Sequence, residues 1–133
     1  MNERFTIDSS VIVSSLLKDE IHYQKAKEIW NQVLTKQIVA ILPSTVLIEV
    51  SAAIRRKTGS EELAIAIANE IYILDSVVFV EIDKQRALKT ANLNAEYGLR
   101  GMDAVLIQVS REFKSRLVTF DKEIIEKLRI ADL

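Results

Sequence analysis

Four carboxylates stand where they could act together: Asp8, Glu49, Asp103 and Asp121. Asp8 directly follows a short apolar run in Ile7-Asp8-Ser9-Ser10-Val11, and Asp121 closes another in Val118-Thr119-Phe120-Asp121. Taken singly, each is most often a helix N-cap, the position that Asp and Ser favour. Asp103 falls in the first turn of a helical pattern, where an acidic group suits the dipole. Glu49 has no such ordinary role. Its helical neighbours three and four residues away are Val46, Thr45, Ala52 and Ala53, so its carboxylate faces a half-buried surface. A buried charge without a partner is costly. Either Arg55 or Arg56 pairs with it, or a cation shared with other carboxylates neutralises it.

Clustered carboxylates repel one another and take up protons unless a cation sits among them. A donor set of oxygens alone suits hard divalent ions, Mg²⁺ or Mn²⁺. Such ions activate water and steady the charge that develops on a phosphate during in-line displacement. Other chemistries are poorly served. The chain has no cysteine, which removes disulfides, thiolate metal sites and cysteine nucleophiles together. His22 is the one histidine. It precedes a helix, far along the chain from the acidic positions, and reads as a structural group rather than a general base. Trp30 belongs to an apolar stripe and reads as core. Arg100 beside Asp103, and Lys122 beside Asp121, are the candidate substrate-binding cations. The run Arg55-Arg56-Lys57 ends a helix, where positive charge first serves the dipole and solubility.

Positioning these groups requires a frame. Four short apolar runs read as buried strands: Arg4–Ile7, Ile38–Leu42, Val77–Ile82 and Leu117–Phe120. Between them lie helical patterns at Ser9–Leu17, Tyr23–Leu34, Ser44–Lys57, Glu61–Leu74, Asp83–Tyr97 and Met102–Phe113, with Lys122–Arg129 last. Gly59 and Gly98 mark two helix ends. Strands alternating with helices predict an α/β fold, a parallel sheet of four or five strands flanked by helices on both faces. Ligands of such sheets collect beyond the carboxyl ends of the strands, where Asp8 and Asp121 fall. The segment Glu61–Leu74 is apolar around its whole circumference, which suggests a contact with another chain beside its contact with the core.

The length of 133 residues predicts one domain, residues 1–133, with 49% apolar and 28% charged residues. A net charge of −1 gives no global positive field, so a nucleic acid would have to be held by local cations and metal. The longest apolar region, Ile38–Ile54, is broken by Pro43, Ser44, Thr45 and Glu49 and does not suit a membrane span. With Asp8 inside the first apolar stretch, no signal peptide is expected. A soluble, cytoplasmic protein is expected. A receiver-type phosphoacceptor needs adjacent acidic residues after the first strand, and an Asp-x-Asp phosphatase needs a second Asp where Ser10 stands. Neither pattern is met.

The chain resembles the PIN-domain family, in particular its short VapC-type toxins, over nearly the full length. Ile7-Asp8-Ser9-Ser10-Val11 is similar to the family's first motif and Ile48-Glu49-Val50 to its second. Leu99-Arg100-Gly101-Met102-Asp103-Ala104 is similar to the third, and Leu117-Val118-Thr119-Phe120-Asp121-Lys122 to the fourth. The stretch from His22 to Ala26 matches the opening of the family's second helix. The resemblance implies a three-layer sandwich in which Asp8, Glu49, Asp103 and Asp121 are the catalytic, metal-binding quartet. It also implies that Thr119 orients the site and that Ser10 supports it. Ser10 stands where many relatives carry Asn, and the positions around Ile107 lack the further acid that some relatives have. The implied activity is hydrolysis of RNA phosphodiesters with one or two Mg²⁺ or Mn²⁺ ions per site, as the toxin of a toxin–antitoxin pair. The implied partners are an RNA substrate, a second copy in a homodimer and an antitoxin protein. The alternative is a PIN-like module that binds RNA or protein without cutting.

Overall fold

A computed structural model describes residues 3–130, so Met1, Asn2 and residues 131–133 of the expected domain lie outside the described residues. Strand β1 (Glu3–Ile7) leads into α1 (Ser9–Leu16) and α2 (Tyr23–Leu34). After β2 (Ile38–Pro43) come α3 (Thr45–Thr58) and α4 (Glu61–Tyr72), and after β3 (Val77–Val80) come α5 (Lys84–Tyr97) and α6 (Gly101–Glu112). The short β4 (Arg116–Val118) and α7 (Lys122–Ile130) complete the described residues.

The four strands are all parallel, in the order β3-β2-β1-β4. Two strands are shorter than their apolar runs, because a strand lasts only as long as its partner. In the β2–β3 ladder Pro43 pairs with Val80, and the Ser44 N–H then donates to the Val80 carbonyl at 2.9 Å, so Glu81 and Ile82 leave the sheet. Val118 pairs with Ile7, the last residue of β1, so Thr119 and Phe120 run past the edge. That overrun matters for the site.

Parallel connections cross over in the right-handed sense. The first two step outward from β1, while the third returns past it, and this places their helices on opposite faces. Accordingly α2 and α3 pack on β2 with α1 beside them, whereas α6 covers β1, β2 and β4 from the other side. Alternation along β2 serves both layers. Ala40 and Leu42 join the larger core with Val46, Val50 and Ile54 of α3, while Ile41 joins Val80 and Val109. Gly59 and Gly98 end α3 and α5 in the left-handed region, φ 72° and 63°, which glycine adopts without a Cβ penalty.

The helix expected to be apolar all round buries only one stripe of α4: Ala64, Ile67 and Ile71. Its Ile65 and Tyr72 remain exposed, as does Ile73 beyond its end. Among the described residues no helix is long and apolar enough to cross a membrane.

The α3 anchor is open to test. Ile54 is fully buried at the end of the helix that carries Glu49. Replacing Ile54 with Ala leaves a cavity and is expected to cost about 2–5 kcal/mol of stability, read by urea unfolding.

Candidate active site

In the order β3-β2-β1-β4 the direction of chain progress reverses at β1, so the crevice beyond the carboxyl ends of β1 and β4 is the topological switch point. Asp8 occupies that edge. Its N–H donates to the Val118 carbonyl at 2.9 Å, which extends the ladder by one bond and fixes the residue against β4. The overrun of β4 then supplies Thr119, whose hydroxyl donates to Asp8 Oδ2 at 2.8 Å. The same Thr119 oxygen accepts the Asp121 N–H at 3.0 Å. One hydroxyl thus ties the aspartate that follows the central strand β1 to the one that follows the edge strand β4.

Both aspartates also cap helices. Asp8 Oδ1 accepts long hydrogen bonds, each 3.4 Å, from the Ser10 N–H and the Ser9 hydroxyl at the start of α1. Asp121 Oδ1 accepts the Glu123 N–H at 2.9 Å in the first turn of α7. Capping and a place in the site are therefore compatible: each carboxyl caps with one oxygen and leaves the other aimed elsewhere. Asp103 lies in the first turn of α6, and Glu49 in the early part of α3.

Electrostatic coupling links the four. The Glu49 carboxyl is pushed up to about 7, first by burial and then by the charges of Asp8 and Asp103. Asp103 is also raised, by burial first, then by Asp121 and Asp8, against an opposing pull from Arg100. Among the described residues, no ion pair neutralises Asp8, Glu49, Asp103 or Asp121. Neither Arg55 nor Arg56 turns back to Glu49, and both remain exposed. Arg100 is exposed beside Asp103 and pairs with Glu123 at 3.4 Å, and Lys122 is exposed next to Asp121.

Two site residues escape the sequence reading. Glu123 adds to the charge that raises Asp103. The sequence signal was its position two residues after Asp121. Ser9 contributes its hydroxyl to Asp8, whereas Ser10 contributes its backbone N–H. His22 is not remote in space: its ring lies against that of Phe120, centroids 4.4 Å apart, between Thr119 and Asp121 in the chain. Trp30 is core, 4% exposed.

The donor chemistry fits a hard divalent cation: oxygen atoms alone, with excess negative charge and, among the described residues, no ion pair to the four acids. Among the described residues, however, no three such groups already stand within reach of one ion. Seating a cation requires side chains to turn inward from this geometry.

A parallel α/β sheet with an acidic switch point defines the class, and the family follows from comparison. The PIN-domain family model matches residues 5–130, and the chain belongs to the PIN-domain family. Among solved structures, Mycobacterium tuberculosis VapC20, described as a sarcin–ricin loop cleaving toxin, is similar with a TM-score of 0.73 and 20% identity. That match covers 93% of this chain and 94% of the other. VapBC2 from Rickettsia felis, bound to a DNA fragment from its promoter, gives a TM-score of 0.67 at 17% identity over 98% and 95% of the two chains. A toxin–antitoxin complex from Klebsiella pneumoniae gives 0.63 at 17% identity over 93% and 90%. At these identities the likeness is one of fold. No curated protein sequence matches the chain at a significant level.

The raised carboxyls have a consequence for stability. Glu49 holds its proton more tightly when folded than its ordinary value of 4.5 implies, so its contribution is full below that value and fades as pH rises through about 7. Metal-free protein is expected to lose about 1 kcal/mol between about pH 5 and pH 8, a figure already reduced for solvent screening of a half-exposed group. Asp103 works in the same direction. Urea titrations across that range check this, and Glu49→Gln should flatten the slope.

Proposed function

We propose that this PIN domain is a divalent-cation-dependent endoribonuclease and the toxin of a toxin–antitoxin pair. The observation that carries the enzymatic reading is the electrostatic coupling of Asp8, Glu49, Asp103 and Asp121 at the switch point, where, among the described residues, none of the four is held in an ion pair. Family membership supports it. The toxin reading draws its support from the VapC20, VapBC2 and Klebsiella structures, which share the fold from end to end.

Asp8 and Asp103 would hold one or two Mg²⁺ or Mn²⁺ ions, with Glu49 and Asp121 contributing directly or through water. When bound, the cation would supply activation of water and stabilisation of charge on the scissile phosphate. Thr119 keeps the Asp8 carboxyl aimed into the site through its 2.8 Å hydrogen bond, and Ser9 and Ser10 hold the other oxygen. Arg100 and Lys122 stand at the rim, where a phosphodiester backbone would pass. The water oxygen bonds to phosphorus, and the P–O3′ bond breaks. The 3′ oxygen takes a proton, so the products carry a 5′-phosphate and a 3′-hydroxyl. Such a protein acts in the cytoplasm.

The exposed apolar face around Ile65, Tyr72 and Ile73 supports a second copy as a partner, with an antitoxin protein as the regulatory one. Sedimentation velocity is expected to show a dimer at high concentration. A clean monomer there would end the dimer reading.

One observation favours a second reading, a PIN-like module that binds without cutting: among the described residues no three-ligand group is preformed. Two measurements separate the readings. Asp8→Asn, with its fold checked by circular dichroism, is expected to lower metal-dependent RNA cleavage at least about a hundredfold. Calorimetry should show Mn²⁺ binding to the intact protein and weak or no binding to the variant. Undiminished cleavage by Asp8→Asn would refute the site, and absence of both cleavage and Mn²⁺ binding in the intact protein would favour the binding module.

A further inference from the structure

Beside the acidic cluster, α1 and α3 flank an open cavity of about 490 Å³ that continues away from Glu49. On α3, Glu49, Ala52, Ala53 and Arg56 are spaced three, four and seven residues apart, so one stripe of the helix faces this space. The two alanines leave the room, and Arg56 stands two turns beyond Glu49, a rise of about 10 Å. Ser9 and Ser10 line the near end of the same cavity.

The charges in this cavity are unequally committed. Lys57 also lines it, yet its ammonium is paired with Glu20 at 2.9 Å across the far end. Glu49 belongs to the acidic group. Arg56 forms no ion pair among the described residues and is exposed. A planar guanidinium with all its donors available, facing a cavity that opens from a phosphodiester-cleaving site, is suited to a second phosphate. Arg55, one residue earlier, does not line the cavity. The dipole role expected of the basic run suits all three members alike and does not account for this difference.

We infer that the cavity between α1 and α3 seats the RNA backbone adjoining the scissile bond, with Arg56 as its phosphate contact. This rests on the ribonuclease reading. The strand enters over the acidic edge and leaves along α3, so the rim cations Arg100 and Lys122 and the cavity cation Arg56 bracket the scissile bond from two sides.

The test follows cleavage of a fluorescent single-stranded RNA of mixed sequence with Mn²⁺ present. Arg56→Ala should raise KM about five- to tenfold, with the loss falling on KM rather than kcat. Arg56→Lys should recover part of that loss, and Arg55→Ala should match the unaltered protein. In parallel, the salt dependence of RNA binding in an Asp8→Asn background should become shallower by about 0.7 in log–log slope when Arg56 is removed, the share of one single-strand phosphate. An unchanged KM and slope in Arg56→Ala overturns the inference while leaving the nuclease reading intact. An equal rise in Arg55→Ala also overturns it, since general charge would then be responsible. An intact protein that neither cuts nor binds RNA removes both readings together.

Discussion

Mutual repulsion among carboxylates at one edge of the sheet is the constraint on which the rest of this structure depends. Folding brings Asp8, Glu49, Asp103 and Asp121 into a common field and leaves Glu49 half-buried, so the native state works against its own electrostatics. A small domain has only a modest stability margin, and a raised carboxyl draws on it. The cost is borne by the core behind the edge. Val46, Val50 and Ile54 hold α3 down, and Ile7, Val11 and Ile12 hold the β1–α1 junction, all fully buried.

The positions of the charges follow from topology. Because the third crossover doubles back, β4 lies beside β1, and the residues that outrun β4 arrive next to Asp8. A longer β1 would keep Thr119 paired in the ladder. Ending β1 at Ile7 lets the Thr119 hydroxyl bond to Asp8 Oδ2 and receive the Asp121 amide. Strand length, usually a matter of stability alone, here decides which side chain reaches the centre. The helices contribute in the same way. The acids on α3 and α6 come from opposite layers and act on one another across the edge, while α7 adds Glu123.

Ordinary local roles and the chemical role coexist in single residues. Asp8 and Asp121 are helix caps by their hydrogen bonds and members of the acidic group by their surroundings. A carboxylate has two oxygens and several lone pairs, so one can satisfy a backbone N–H while the other faces a common centre. The basic run Arg55-Arg56-Lys57 divides likewise. Lys57 is held by Glu20, and Arg56 faces open space beside the site.

Local chemistry made most of the framework legible in the sequence. The helix Tyr23–Leu34 was bounded correctly from its apolar periodicity, the glycine stops fell at Gly59 and Gly98, and all four strands lay within or beside their apolar runs. These features arise from neighbours a few residues apart, which a linear pattern records. Asp8, Asp103 and Asp121 stood out in the sequence because each sits at a strand end or helix start of recognisable type, and Glu49 because its helical neighbours are mostly apolar. What only tertiary structure decided are pairings between distant residues. The register ended β3 and β4 early, the strand order placed Asp8 beside Thr119, and the packing brought Glu123 toward Asp103 and His22 onto Phe120. It also left Arg56, and not Arg55, facing a cavity, since helical phase relative to α1 is a property of packing and not of composition. Charge environment likewise belongs to the folded state: the Glu49 carboxyl is raised first because the fold half-buries it and then because two other chain segments bring their charges to it.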